Sequence, residues 1–484
     1  MNRISNLTAF IFHAAGLLLL AGCTSASGVA DQTQPWLIAS DLRSVQQDDG
    51  RTDPAVRGVW RSRGYGRILD ISEQGVRQYE AGTQCYSPAR EDGSSLSEMD
   101  SVTYRYFRML PGEKSAIFQL LRGDTNVVFD RLDSLPAACR TELPVSPRAV
   151  SDAFLDAFER HYAFFERRPP DHAARAARLR AQIRPDMGDE ELWAALGTYM
   201  DGLSDSHTKL IGEVAGERRR IQDGQGETLP RIRSAQGGES EWLVGLIGQT
   251  LDRLDEGAQH TGRDRIIWGL IDNRIGYLQI FQMGGFTDRQ DFGSDEWADA
   301  EMAEFNRIMD EAFAAFDQAG VAAIIVDLSN NRGGWDQIAK AIPGRFTDSA
   351  YTGFTTRAQG SGLAEFPHVI EPAAGTRFIG PTYLLTSDVT VSGGELASLA
   401  LLQNPQVVHV GTKTRGAFST PLAKRLPNGW LLEVSNETFA APDGVVYEET
   451  GLEPRINIEV YPQDDPVGGH WKAIERIVAL AGAQ

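Results

Sequence analysis

Residues 321–326, VAAIIV, are apolar without a break, and the run ends in Asp327 and then a polar turn with a glycine pair, SNNRGG. A strand that alternates would bury one face; a strand apolar at every position needs cover on both, which is the habit of parallel sheets flanked by helices. Neighbouring stretches repeat the theme: RIGYLQIFQM, PTYLLTS and QVVHVG read as strands. Between RIGYLQIFQM and VAAIIV, Trp297, Phe305, Ile308, Ala312 and Phe316 recur at helical spacing and Gly320 closes the pattern. Further helices are expected after Gly334 and after Ser392. This alternation predicts an α/β core with largely parallel strands over 266–484, and in such sheets reactive groups collect at the carboxyl ends of strands.

Two strand ends carry unusual residues. Gly333 and Gly334 make a turn whose N–H groups can face a developing negative charge, or which simply needs positive φ. The segment DVTVSGGELASLA puts Ser392 at a helix start. Ser392 with Glu395, followed by Leu396, Leu399 and Leu401, matches a capping box, so it reads either as a cap or as a nucleophile. A nucleophilic serine needs a base. His207, in the small polar turn DGLSDSHTKL, is the histidine best placed to stay mobile and accept a proton.

Ahead of the core, periods change along the chain. Residues 1–22 hold one basic residue, an apolar stretch and a small-residue end, which reads as a secretory signal. LAGC at 20–23 is similar to a bacterial lipobox, which implies lipidation of Cys23 and a periplasmic, lipid-anchored protein. Residues 23–52 read as a tether. Alternating runs over 53–140 predict a small all-β domain, a barrel or a sandwich. Phe154, Phe158, Tyr162 and Phe165, then Leu192, Leu196 and Met200, predict a helical subdomain over 141–212. Residues 213–265 are charged and read as a surface excursion. Cys85 and Cys139 remain for a possible disulfide in an oxidising compartment. The formal charge of −19 argues against nucleic acid and anionic lipid as partners. No cofactor or metal motif is present.

In order, DGLSDSHTKL, IGYLQI, IIVDLSNNRGG, YLLTSDVTVSGGELASLAL, VGTKTRG, LPNGWLLEVS and YEETGLEPRINIEV resemble the landmarks of the S41 peptidases, which include tail-specific and tricorn-type proteases. The resemblance runs from about Phe154 to the C-terminus. It implies a ClpP/crotonase-like core, an acyl-enzyme serine endopeptidase acting on peptides or unfolded proteins, Ser392 as nucleophile and the N–H groups of Gly334 and Gly393 as oxyanion hole. Tail-specific relatives place a lysine where Ala417 stands, so the tricorn-like arrangement is implied, with His207 as base and Ser206 and Glu448 in support; Glu449 is adjacent. Ser329 and Arg455 depart from the usual motifs, and no PDZ domain has a counterpart here.

Two other readings compete. Ser206 and Lys209 form an S-x-x-K match, with TSDV and TKTRG as imperfect echoes of the motifs of penicillin-recognising enzymes. A lipid-anchored protein that binds peptides or an apolar ligand without turnover would use the same fold.

Overall fold

Strand Ala323–Asp327 is buried at every position and lies in the middle of a seven-stranded sheet. Its order is Gln259–Thr261, Ile266–Ile271, Ile275–Ile280, Ala323–Asp327, Thr382–Thr386, Val407–Gly411 and Ile456–Asn457. The first two strands pair antiparallel, and from Ile275–Ile280 onward every pairing is parallel. The structure, a computed structural model, describes residues 41–87, 104–141, 143–168 and 171–482.

Both faces of the sheet are covered, as the apolar run requires. Ile324 and Val326 pack against Phe305, Ile308 and Phe316 of helix Asp295–Ala319. That helix starts where the Ser294 hydroxyl accepts the Trp297 N–H at 2.9 Å, and stops at Gly320 with φ 61°. Ala323 and Ile325 face the other way, onto Trp242 and Leu246 of helix Gly238–Arg253 and Trp471 and Ile474 of helix Pro466–Ala481. The expected surface excursion at 213–265 therefore differs from what is found. It carries the strand Glu217–Gln222 and a helix that closes one face of the central sheet, because Trp242 and Leu246 form an apolar stripe among charged neighbours.

The N-terminal region is one eight-stranded antiparallel sheet, whose edge strands Arg43–Ser44 and Cys85–Tyr86 do not pair with each other. Among the described residues it forms neither a closed barrel nor a two-sheet sandwich. Trp60, Phe118 and Phe129 from this sheet share a hydrophobic cluster with Phe154, Phe158 and Tyr162 of the helical segment and with Leu432 and Trp430 further on. The sheet also docks on the α/β core: Arg105 donates to the Gly293 carbonyl at 2.6 Å, and Arg122 pairs with Asp295 at 2.9 Å. Cys85 and Cys139 are joined by a disulfide.

Candidate active site

Helix Gly393–Leu401 follows the strand Thr382–Thr386 after a short turn, and Ser392 is the residue at the elbow. Its φ of 59° and ψ of −124° lie where non-glycine residues rarely sit. Its hydroxyl makes no capping hydrogen bond, and the Glu395 N–H goes to the Ser392 carbonyl at 2.8 Å. Only the glutamate half of the capping box forms. The buried Glu395 carboxyl accepts the N–H groups of Ser392 at 3.3 Å, Gly416 at 2.6 Å and Ala417 at 2.8 Å, and the Thr414 hydroxyl at 2.7 Å. The helix start is capped by a neighbouring side chain, and the serine hydroxyl is left for other partners.

The glycine turn lies directly against this elbow. A Cβ on Gly333 would stand 2.6 Å from the Ser392 Cβ, and one on Gly393 would stand 3.3 Å from the Gly334 nitrogen. Gly333 and Gly334 have φ of 77° and 131°, so close approach and backbone conformation both demand glycine. Asn331 fixes the turn, accepting the Gly333 N–H at 2.8 Å while donating to the Ile280 carbonyl at 2.8 Å. The Met283 backbone brackets it, with N–H to the Gly333 carbonyl at 2.8 Å and carbonyl to the Trp335 N–H at 2.7 Å. The N–H groups of Gly334 and Gly393 have no protein acceptor among the described residues.

His207 precedes the strand Lys209–Val214 and is 9% exposed. Asp205 holds its turn, accepting the N–H groups of His207 at 2.9 Å and Thr208 at 3.2 Å and the Ser435 hydroxyl at 3.0 Å. Burial pushes the imidazole below its ordinary value; the Asp205 carboxylate opposes this and nearby Lys209, Arg168 and Arg415 add to it. The ring is thus neutral at pH 7 and able to take a proton. Ser392, His207 and Gly334 line one cavity of about 1190 Å³ with Met283, Leu396 and Phe418. The N-terminal sheet supplies another wall of the same cavity through Tyr65, Arg67, Arg77 and Leu121.

Residues 274–458 match the family model described as Peptidase family S41. Over these residues the chain is similar to that family. A carboxy-terminal processing protease, CtpA of Bacillus subtilis, is 22% identical over 189 residues, which is 39% of this chain and 36% of that protein. The chain thus matches about a third of the length of that curated relative. A solved Parabacteroides merdae structure assigned as a peptidase is 22% identical, covers 70% of this chain and 97% of that one, and superposes with a TM-score of 0.54. The fold is therefore shared. Mature CPAF complexed with lactacystin, at 12% identity, covers 69% of this chain and 98% of its own with a TM-score of 0.47.

Around this S41 segment the other expected site residues take different places. Ser206 donates its hydroxyl to the Gly224 carbonyl and receives Arg415 at 3.4 Å. Lys209 pairs with Glu433 at 2.5 Å, so Ser206 and Lys209 do not form a hydrogen-bonded dyad. Glu448 is buried and accepts the N–H groups of Phe418 at 2.8 Å and Ser419 at 3.1 Å and Arg168 at 3.0 Å. It does not hydrogen-bond His207. Burial and then the nearby Asp205 carboxylate push its carboxyl up, to about 8, against the pull of Arg168 and the Phe418 N–H; the three donors that it accepts from favour the ionised form. Glu449 is exposed, with φ 73°. Cys23 lies outside the described residues.

Arg168 and Asp205 escaped the sequence reading. Arg168 is 3% exposed and donates to the Ser204 and Gly416 carbonyls and to Glu448, with Asp205 3.8 Å away. It ties the His207 turn to the turn beside Ser392. Asp205 stands two residues before His207, and that spacing was the one local signal available for it.

Proposed function

We propose that this chain is a serine endopeptidase that cleaves peptide or unfolded-protein substrates through an acyl-enzyme on Ser392. The observation that carries the reading is the elbow: an uncapped hydroxyl on a strained residue, beside two unpartnered N–H groups, in one cavity with a neutral imidazole. In the first step His207 takes the hydroxyl proton as the Ser392 oxygen attacks the scissile carbonyl. The Gly334 and Gly393 N–H groups receive the oxyanion, and His207 returns the proton to the leaving amine. Water, deprotonated by His207, then hydrolyses the ester. Ala417, whose carbonyl accepts the Ser392 N–H at 3.1 Å, occupies the place from which a lysine would reach the serine; this favours the histidine arrangement. Ser206 and Glu448 act through the backbone of the neighbouring turns, not on the imidazole. The lipid on Cys23 would hold the enzyme at the periplasmic side of the envelope, and Cys23→Ser would release it to the soluble fraction.

A fluorophosphonate probe on the mature protein tests the chemistry, with the labelled peptide mapped by mass spectrometry. Ser392 should label, and Ser392→Ala and His207→Ala should abolish it. Because burial holds His207 below the usual 6.5, the labelling rate should persist below pH 6.5 and fall only in more acidic buffer. Label on Ser206, or none on folded protein, would sink the assignment.

A further inference from the structure

The chain carries a formal charge of −19, yet the walls of the Ser392 cavity are rich in arginine. Arg67 and Arg77 come from the N-terminal sheet, Arg220 from the strand Glu217–Gln222, and Arg263, Arg265 and Arg289 from segments on either side of Met283. The acids on the same walls are engaged internally. Glu80 holds Lys424 at 2.8 Å, Glu433 holds Lys209, and Glu437 accepts the Tyr65 hydroxyl. Glu301 accepts the N–H groups of Phe286 at 2.8 Å and Thr287 at 3.0 Å. Asp124 and Asp336 both face Lys340.

Some of the cations are also engaged: Arg263 pairs with Asp288 and Arg289 with Asp291. Arg77, Arg220 and Arg265 have no ion pair among the described residues. Arg265 is the best placed of them. Its Nε is 3.7 Å from where a Cβ on Gly285 would stand, two residues beyond Met283, whose backbone brackets the oxyanion turn. At physiological salt the Debye length is about 8 Å, so inside the cavity these guanidinium groups outweigh the distant negative charge of the whole chain.

We propose that the cavity selects extended peptide segments carrying aspartate or glutamate close to the scissile bond. The inference rests on the Ser392 peptidase reading and supplies its substrate class. Arg77 on the N-terminal wall and Arg220 and Arg265 on the other walls line the same cavity as Ser392, and these three, lacking an internal ion pair among the described residues, can take a carboxylate in a paired, charge-assisted geometry. The overall acidity of the chain would by itself favour basic peptides, so the two effects have opposite signs and the experiment separates them.

The full mature chain is given a peptide mixture cut from denatured proteins, and cleaved bonds are mapped by mass spectrometry. Aspartate and glutamate should be enriched over lysine and arginine near the cut by about tenfold, the worth of one charge-assisted contact. The enrichment should shrink in high salt, which needs no variant. The double variant Arg77→Glu, Arg265→Glu should flatten it while fluorophosphonate labelling of Ser392 stays unchanged. Cleavage with flat or basic enrichment and a labelled Ser392 overturns this inference alone. Absence of both cleavage and label overturns the peptidase reading and this inference with it, and absence of cleavage with Ser392 labelled overturns the inference as well. Flat enrichment with binding to phosphatidylglycerol vesicles that the variant loses would assign the arginines to lipid.

Discussion

Ser392 shows what one residue contributes beyond its hydroxyl. Holding a non-glycine residue at φ 59°, ψ −124° costs on the order of 1–3 kcal/mol, which the surrounding Glu395 and Asn331 hydrogen bonds must offset. Glycine adopts such angles freely, although it loses more entropy on folding. Ser392→Gly should therefore be more stable than Ser392→Ala by about 1 kcal/mol, and both should be inactive. Urea denaturation of the two variants measures this; equal midpoints would mean the elbow stores no strain. The serine itself was legible because the pattern around it is local, a strand, a turn and a helix start within a few residues. Its dihedral angles were not, because the turn packed against it is distant in sequence: a Cβ on Gly333, far earlier in the chain, would stand 2.6 Å from the Ser392 Cβ.

At the scale of elements, Arg168 is the fastener. It stands after helix Pro147–His161 and reaches the Gly416 carbonyl across 248 residues of sequence and Glu448 across 280. Removing one partner of a buried ion pair leaves the other uncompensated, which costs about 3–5 kcal/mol. Arg168→Met should lose that much, since both Glu448 and Asp205 stay buried without it, and the double variant Arg168→Met, Glu448→Met should regain part of the loss. Denaturation midpoints with a constant slope check it, and an Arg168→Met protein within about 1 kcal/mol of wild type would remove Arg168 from this role. No local pattern announces such a residue: an arginine before two prolines has no visible partner until the chain folds. The helix Gly238–Arg253 was hidden differently. Its apolar stripe is real but narrow, and the charged residues on either side made a buried element read as surface.

For the whole molecule, the joint between the N-terminal sheet and the core carries a titrating group. Glu437, 2% exposed, accepts the hydroxyls of Tyr65 and Thr125 from the N-terminal sheet, and burial pushes its carboxyl up to about 7. The folded chain then keeps a proton that the unfolded chain has released above 4.5, so this contribution is full below pH 4.5 and is lost as the pH rises toward 7. The imidazoles of His161, His207, His368 and His409 are all pushed below 6.5 by burial, and they act in the opposite sense, with stability lost as the pH falls below 6.5. Between pH 4.5 and 6.5 the slopes oppose each other, whereas above 6.5 the histidines are neutral in both states and Glu437 acts together with Asp124, which burial pushes up to about 8, so its own share is read against a variant. Glu437→Gln, which copies the protonated form, should gain on wild type by about 2–3 kcal/mol between pH 5 and pH 8. Paired denaturation curves at the two pH values read this directly. A difference that stays constant would mean Glu437 is ionised in the folded chain, with Tyr65 and Thr125 already balancing its burial.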